Sequence, residues 1–302
     1  MKQTFYSNGK LLITGEYVVL DGALAMALPT KFGQFLEVET NDSNQISWKS
    51  FDSDQSCWFE TVLTVNDIKN KTNFDDKIKL TLVEILHEAD KLNPKFLEKF
   101  TGFVVETKLN FPRNWGLGTS STLINNIAQW FQIDAFDLLK NSFGGSGYDI
   151  ACAQNNSPIL YQLLNENPII TKVEFNPKFK ENLYFLYLNQ KQNSKTAIAN
   201  YKKNTFDKSK VIEKINQLTQ TIATTIDFLV FESAISQHET EMSLILNQVT
   251  IQQQLFPDFE GTIKSLGAWG GDFIMVISHQ NPTDYFKQKG FETILTYDDM
   301  IL

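Results

Sequence analysis

The chain has 302 residues, 27 of them basic and 35 acidic, and its net charge of −8 repels nucleic acid and anionic membrane. Apolar residues make up 42%, with 24 phenylalanines, which is enough for the cores of two domains or of one large α/β domain. Two cysteines, Cys57 and Cys152, are too few for a disulfide scaffold and suit a reducing compartment, while His87, His238 and His279 lack metal-ligand spacing, which argues against zinc chemistry and a histidine-based triad. Lys10 and Glu16 interrupt the early apolar stretch, so a signal peptide is not expected, and no apolar run approaches the length needed to cross a bilayer. The expected address is cytoplasmic.

In chain order, "KLLITGEYVVL" (10 to 20) reads as two short strands about a turn at Thr14-Gly15-Glu16. "GALAMALP" follows, then the alternating strand "FGQFLEVET". Residues 41 to 74 read as hairpins and loops. The segment 76 to 92 sets Leu82, Ile85, Leu86 and Ala89 on one helical face, and "TGFVVETKL" returns as a strand. A Gly-rich loop then runs into a helix carrying Leu123, Ile127, Trp130 and Phe131, with a second helix over 134 to 141. "PILYQLL" and "IITKVEF" read as closing strands of a first domain, and a boundary is expected near 178. The second domain, 179 to 302, has a strand at 183 to 188, a long helical region over 208 to 254 and a strand at 273 to 278. The order is α+β in two layered domains.

Three stretches carry candidate chemistry. In "GLGTSS" (116 to 121) the backbone N–H groups of a Gly-rich turn continue into those of a helix start, which makes an anion cradle. Gly116 and Gly118 let the main chain approach phosphate closely, and Thr119, Ser120 and Ser121 offer hydroxyls to phosphate or to a Mg²⁺-bound oxygen. The same letters also describe a plain helix cap. The loop is neither a Walker loop nor the dinucleotide fingerprint. "LGAWGGD" (266 to 272) either packs two backbones closely or closes over a ligand. Asp149, after the glycine turn of "FGGSGYDIACAQ", is a turn cap or a catalytic carboxylate, and Lys10 is a surface charge or a partner to it.

Taken together, "GKLLITGEYVVLDG", "GLGTSS" and "GAWGGD" resemble the three ordered motifs of the GHMP kinases, and "GSGYDIA" resembles the Gly-Ser-Gly-x-Asp element of the isoprenoid-pathway members. "GYDIA" itself looks like the signature of a bacterial subgroup. The resemblance runs from Gly9 to about Ser278 with all elements in order. It implies the two-domain GHMP kinase fold, with an N-terminal domain like ribosomal protein S5 domain 2 and a ferredoxin-like C-terminal domain. It further implies ATP on Gly116, Leu117, Gly118, Thr119, Ser120 and Ser121, with Mg²⁺ at Ser120. Gly267, Gly270 and Gly271 would support the phosphates. Asp149 would sit by the acceptor hydroxyl with Lys10, and Glu16, Tyr17, Ser146 and Gly147 would face substrate.

Some positions depart from the family pattern. Ser121-Thr122-Leu123 follow the loop where small residues are usual, and Trp269 stands where glycine is common, which would narrow the cleft or stack on substrate. The additional Mg²⁺-binding Glu of mevalonate kinases has no clear counterpart, with Asp134 and Asp137 the nearest candidates. "GEYVVL" in place of a sugar-binding "GEHTDYNGG" argues against sugars, and "GEYVVL", "GSGYD" and Asp272 look more like phosphomevalonate kinase. Residues 189 to 203 resemble the segment that meets an acidic substrate in that branch, with Ser194, Lys195 and Thr196 as candidates supported by Lys191 and Lys202; the alternative for those lysines is a solvated loop face. Arg113 is the sole arginine, and its planar fork suits phosphate or carboxylate. The expected activity is phosphoryl transfer from ATP to a small acidic acceptor, phosphomevalonate or mevalonate, by a monomer or homodimer. A diphosphomevalonate-decarboxylase-like enzyme and a non-catalytic nucleotide-binding protein are the alternatives.

Overall fold

The computed structural model describes residues 2 to 190 and 194 to 302, with Ser194 and Lys195 described by backbone alone. Two compact units emerge, and they interleave in sequence. One comprises Met1–Gly9, Phe32–Arg113 and Leu117–Gln154; the other comprises Lys10–Lys31, Asn114–Gly116 and Asn155–Leu302. They interleave because two long strands, β1 (Lys2–Thr14) and β2 (Ala25–Asn41), each contribute to both units.

In the first unit, β3 (Ile46–Phe51) and β4 (Cys57–Leu63) form an antiparallel pair, and β3 runs parallel to β5 (Gly102–Leu109). The second half of β2 pairs antiparallel with β5, from Gln34 opposite Leu109 to Asn41 opposite Gly102. The burial of β3 alternates residue by residue, as a strand with one covered face requires. The cover comes from helices: α1 (Val65–Lys69), α2 (Lys77–Leu92), α3 (Thr119–Phe131), α4 (Ala135–Ser142) and the short α5 (Tyr148–Ala153). Leu82, Ile85, Leu86 and Ala89 of α2 are buried as their spacing predicts, against Trp48, Phe103 and Trp130. Phe96, Phe103, Trp130 and Phe131 meet edge-on or tilted in the same core.

In the second unit, the first half of β2 pairs with β6 (Ile159–Leu164), which pairs with β7 (Asn167–Lys172). Hydrogen bonding runs in the order β4-β3-β5-β2-β6-β7, with β1 on β2. A separate four-stranded antiparallel sheet has the order β11-β8-β10-β9. Its strands are β8 (Leu183–Tyr187), β9 (Thr262–Ser265), β10 (Phe273–Ile277) and β11 (Ile294–Thr296). The helical region splits into α6 (Ser194–Tyr201), α7 (Lys208–Thr224), α8 (Phe228–Leu246) and α9 (Ile251–Leu255), and the chain closes with α10 (Thr283–Gln288) and α11 (Tyr297–Met300). Asp227 and Thr250 cap α8 and α9, which explains why a stretch without Pro or Gly is not one helix. Among the described residues, no helix is long and apolar enough to cross a membrane.

One expectation near the front is corrected. Residues after Gly15 do not form a second strand. Tyr17 takes a left-handed backbone (φ 60°), and Val18–Asp21 form one 3₁₀ turn that ends at Gly22 (φ 93°). Val18 and Val19 are buried there, so tertiary packing overrides the β preference of valine.

Candidate active site

Helix α3 begins at Gly118, whose φ of 93° turns the chain into the helix. No side chain caps that end, and its first turn holds no acid. Thr119 is half-buried and Ser120 is exposed. Ser121, by contrast, is buried and donates its hydroxyl to the Gly118 carbonyl at 2.9 Å. The Ser121 hydroxyl is thus turned to its own helix, and the Leu117 side chain is buried in the core. A buried polar spine fixes the helix. Ser7 Oγ donates to Asn126 Oδ1 at 2.7 Å and accepts from Asn125 Nδ2 at 2.8 Å, Asn126 Nδ2 donates to the Gln34 carbonyl at 2.9 Å, and Thr122 Oγ1 donates to Gln34 Oε1 at 2.8 Å.

Helix α5 has the same kind of start. Gly147 (φ 88°) precedes Tyr148, no side chain caps the end, and Asp149 lies half-buried in the first turn. Ser146 is buried, and the space around Gly144 and Gly145 is open. Ile150 packs in the core that holds Ile124 and Ile127, and Gln154 Nε2 donates to Asn125 Oδ1 at 3.0 Å. Asp149 is thus carried on an element pinned to α3, in the same unit.

The other unit holds Lys10, Gly116 and the third glycine segment. Lys10 Nζ donates to the Gly116 carbonyl at 3.2 Å. Gly116 has a φ of 68°, and a Cβ there would overlap the Asp272 carboxylate, so only glycine fits. Asp272 is itself left-handed (φ 53°), and its backbone is held by Asp272 N–H to the Gln190 carbonyl and Leu188 N–H to the Asp272 carbonyl, both 2.8 Å. Gln190 Nε2 also donates to the Gly270 carbonyl at 2.9 Å. Gly267 has open space around it, and Gly271 is buried. Lys10 and Asp149 belong to different units and are placed here each within its own.

Glu16 is fully buried beside Lys264, to which it is ion-paired, and Lys264 Nζ is also 3.2 Å from Glu239 Oε2. Ser265 Oγ donates to Glu239 Oε1 at 2.6 Å. His238 accepts the Gly15 N–H on Nε2 at 3.1 Å, with Glu16 Oε2 3.7 Å away. Burial pushes the Glu16 carboxyl up to about 7 against the pull of Lys264. Burial, and then Lys264, hold His238 well below its usual range, so its ring is neutral and Nε2 is free to accept. Burial opposes the charge on Lys264, but Glu16 and Glu239 outweigh it and raise that group. The Glu16 carboxylate, expected to face substrate, lies in an interior ion cluster. The Tyr17 hydroxyl donates to the Ala268 carbonyl at 2.6 Å and its ring stacks on Tyr201 at 5.5 Å.

No family model matches the sequence, and no curated protein matches it either. Solved structures do match. Methanococcus jannaschii mevalonate kinase superposes with a TM-score of 0.73 at 15% identity, covering 98% of each chain. A Streptococcus pneumoniae phosphomevalonate kinase, solved with phosphomevalonate and AMPPNP, gives 0.72 at 16% identity over 97% of this chain and 99% of that one. Lactococcus lactis galactokinase with galactose gives 0.66 at 11% identity over 95% and 88%. The chain has the GHMP kinase fold.

Within that fold several expected residues have other partners. Trp269 (φ 54°) is buried with Tyr17, Tyr201, Ile215 and Met242, so it is a core residue. Arg113 Nε donates to Asp52 Oδ2 at 2.8 Å and the guanidinium lies 4.5 Å from the Trp58 ring. Asp134 caps α4 by accepting from the Phe136 N–H at 2.6 Å, a structural role that replaces its candidacy for Mg²⁺. Thr196 lies exposed in α6 and Lys202 is exposed just after it. The side chains of Ser194 and Lys195, and all of Lys191, lie outside the described residues. Sequence reasoning missed Lys264. The available signal was a lysine set between Ile263 and Ser265 in a short strand directly before the third glycine segment.

Proposed function

We propose that the chain is an ATP-dependent small-molecule kinase that phosphorylates a hydroxyl of an acidic acceptor of the mevalonate type, phosphomevalonate or mevalonate. The observation that carries this reading is the start of α3, a glycine-capped helix end of 13 residues with no side-chain cap and no first-turn acid. Free N–H groups there favour an anion, and Ser120 adds an exposed hydroxyl. Gly116 and Gly118 supply the backbone for a polyphosphate. The likeness of fold to kinases solved with phosphomevalonate or galactose supports the class, and "GEYVVL" with "GSGYD" supports the acidic acceptor over sugars.

In this reading Asp149 accepts a hydrogen bond from the acceptor hydroxyl and orients it. As the acceptor oxygen bonds to the γ-phosphorus, the bond from that phosphorus to the β-bridging oxygen breaks, the hydroxyl proton passes to Asp149 and ADP leaves. Lys10 Nζ donates to the Gly116 carbonyl at 3.2 Å and offers a positive charge to an anion at that turn. Among the described residues no three acidic, His or Cys side chains cluster as a metal site. The exposed Ser120 hydroxyl nevertheless fits Mg²⁺, a hard ion that takes few protein ligands and is completed by phosphate oxygens and water. Bound there, Mg²⁺ supplies neutralisation of phosphate charge. An ADP-release screen with mevalonate, phosphomevalonate, homoserine and hexoses tests the proposal. Turnover with a mevalonate derivative supports it; carbon dioxide release from the diphosphate derivative, or no ADP with any acceptor, contradicts it.

A further inference from the structure

Turn 14–17 and the stretch 264–272 belong to one unit, and contacts of Lys264 and Tyr17 join them. Lys264, at the end of β9, donates to its neighbour's carbonyl on Ser265 and pairs with Glu16. Glu239 of α8 sits 3.2 Å from the same ammonium and accepts from Ser265 Oγ at 2.6 Å. One residue beyond Glu16, Tyr17 donates to the Ala268 carbonyl at 2.6 Å. The glycine segment then runs to Asp272, whose carboxylate lies so close to Gly116 that no Cβ fits between them. Gly15 admits no Cβ either, since Ala25 and the Leu24 carbonyl lie against it, and its N–H is taken by His238. Both ends of this chain of contacts have backbone that cannot slide.

We infer that Lys264 is a positioning residue for the nucleotide turn: by tying Glu16 to Ser265 and Glu239, it holds the 266–272 segment, and with it Asp272, against Gly116. The inference rests on the kinase reading for its catalytic meaning but not for its mechanical content. Stability alone does not account for the arrangement. Burying two carboxylates around one ammonium costs desolvation that pairing only partly returns, and well-packed uncharged replacements of such clusters are often as stable or more so. What the ions add is direction, because the ammonium donates to Glu16 after β1 and to the Ser265 carbonyl on β9 while pairing with Glu239 on α8 at 3.2 Å.

The test uses Lys264→Met and the charge-balanced variant Lys264→Met with Glu16→Gln and Glu239→Gln. The single change strands two buried carboxylates and can fail to fold. The triple change removes every charge of the cluster, and thermal melting confirms that it is folded. Two readouts are taken on the folded triple variant and the unaltered chain. Hydrogen exchange of the amides at 266–272 is expected to speed up by about tenfold or more, with β3 and β5 unchanged. Calorimetric titration with ATP and Mg²⁺ is expected to show affinity weakened by about tenfold, with the KM for the acceptor unchanged. A purely structural cluster would lower the melting temperature or the active fraction and leave the ATP affinity of the folded molecules intact. Unchanged exchange at 266–272, or unchanged ATP affinity, overturns the inference. If the unaltered chain binds no ATP yet exchange still rises in the variant, the kinase reading falls and the positioning role of Lys264 stands.

Discussion

The start of α3 and the cluster around Lys264 are built by opposite means. At α3 the polar groups that matter are backbone N–H groups, left without a side-chain cap and flanked by glycines of positive φ. Around Lys264 the polar groups are buried charged side chains that pair with one another, with Glu16 Oε2 and Glu239 Oε2 left without a hydrogen bond. The first arrangement leaves backbone donors without a side-chain partner; the second uses its donors within the fold. Both lie in or beside short motifs that look alike on paper, a glycine next to small polar residues. What separates them is solvent. An uncapped helix end is tolerable only where water or a ligand reaches it, whereas a buried carboxylate persists only beside a cation.

The comparison can be broken at several points. The largest effect is expected at Asp149. Asp149→Asn keeps shape and loses the proton acceptor, so turnover should fall by about 10²- to 10⁴-fold with the melting temperature nearly unchanged. Steady-state ADP release and a thermal melt check it together, and retained turnover removes Asp149 from the chemistry.

The next effect is a pH dependence of stability from Glu16. Its carboxyl is raised from 4.5 to about 7 in the folded chain, where Lys264, Glu239 and neutral His238 face it. The folded state therefore binds a proton that the unfolded state has released across this window. The stabilisation is complete below 4.5 and is lost as pH rises through 7, on the order of 3 kcal/mol in all. Glu16→Gln should flatten this part of the curve in denaturant titrations at stepped pH. An equal slope in both proteins would show that another group is responsible.

A smaller effect separates two glycines of similar backbone. Gly116→Ala adds a collision with the Asp272 carboxylate to the cost of a positive φ, whereas Gly267→Ala meets open space and incurs the conformational cost alone. Destabilisation of about 2 to 3 kcal/mol is expected for the first and about 1 kcal/mol for the second. Equal losses by chemical denaturation would show that the Asp272 approach does not matter. The smallest effect is at Arg113, whose partners Asp52 and Trp58 are within its own unit. Arg113→Lys should cost under about 1 kcal/mol and leave the KM for ATP and for the acceptor unchanged. A large rise in either constant would restore its reading as a ligand-binding fork.

Much of the fold was legible because periodicity is local. The apolar face of α2, the start of α3 after its glycines and the second helix expected over 134 to 141 all depend on residues within two or three turns of one another. The 3₁₀ turn at Val18–Asp21 was not legible, since the valines alone favour a strand and only contacts with distant segments reverse that. The glycine cradle and Asp149 could be picked out as candidates for the same reason as the helices: their signals are short and contiguous. The cluster of Glu16 and Lys264 could not, because its partners lie 248 residues apart and a lone strand lysine reads as a surface charge. Trp269 shows the converse. Its neighbours in sequence suggested a ligand site, and its neighbours in space are Tyr17 and the α7 and α8 side chains Ile215 and Met242.

The account depends most on the glycine-capped turn being where a nucleotide's phosphates bind. The direct measurement is a titration of the isotope-labelled protein with ATP and Mg²⁺, following backbone amide resonances. Saturable shifts that are largest at Gly116 to Ser121, and absent when adenosine replaces ATP, are the predicted result. Binding of ATP with those amides unmoved, or no binding at millimolar nucleotide, would contradict it.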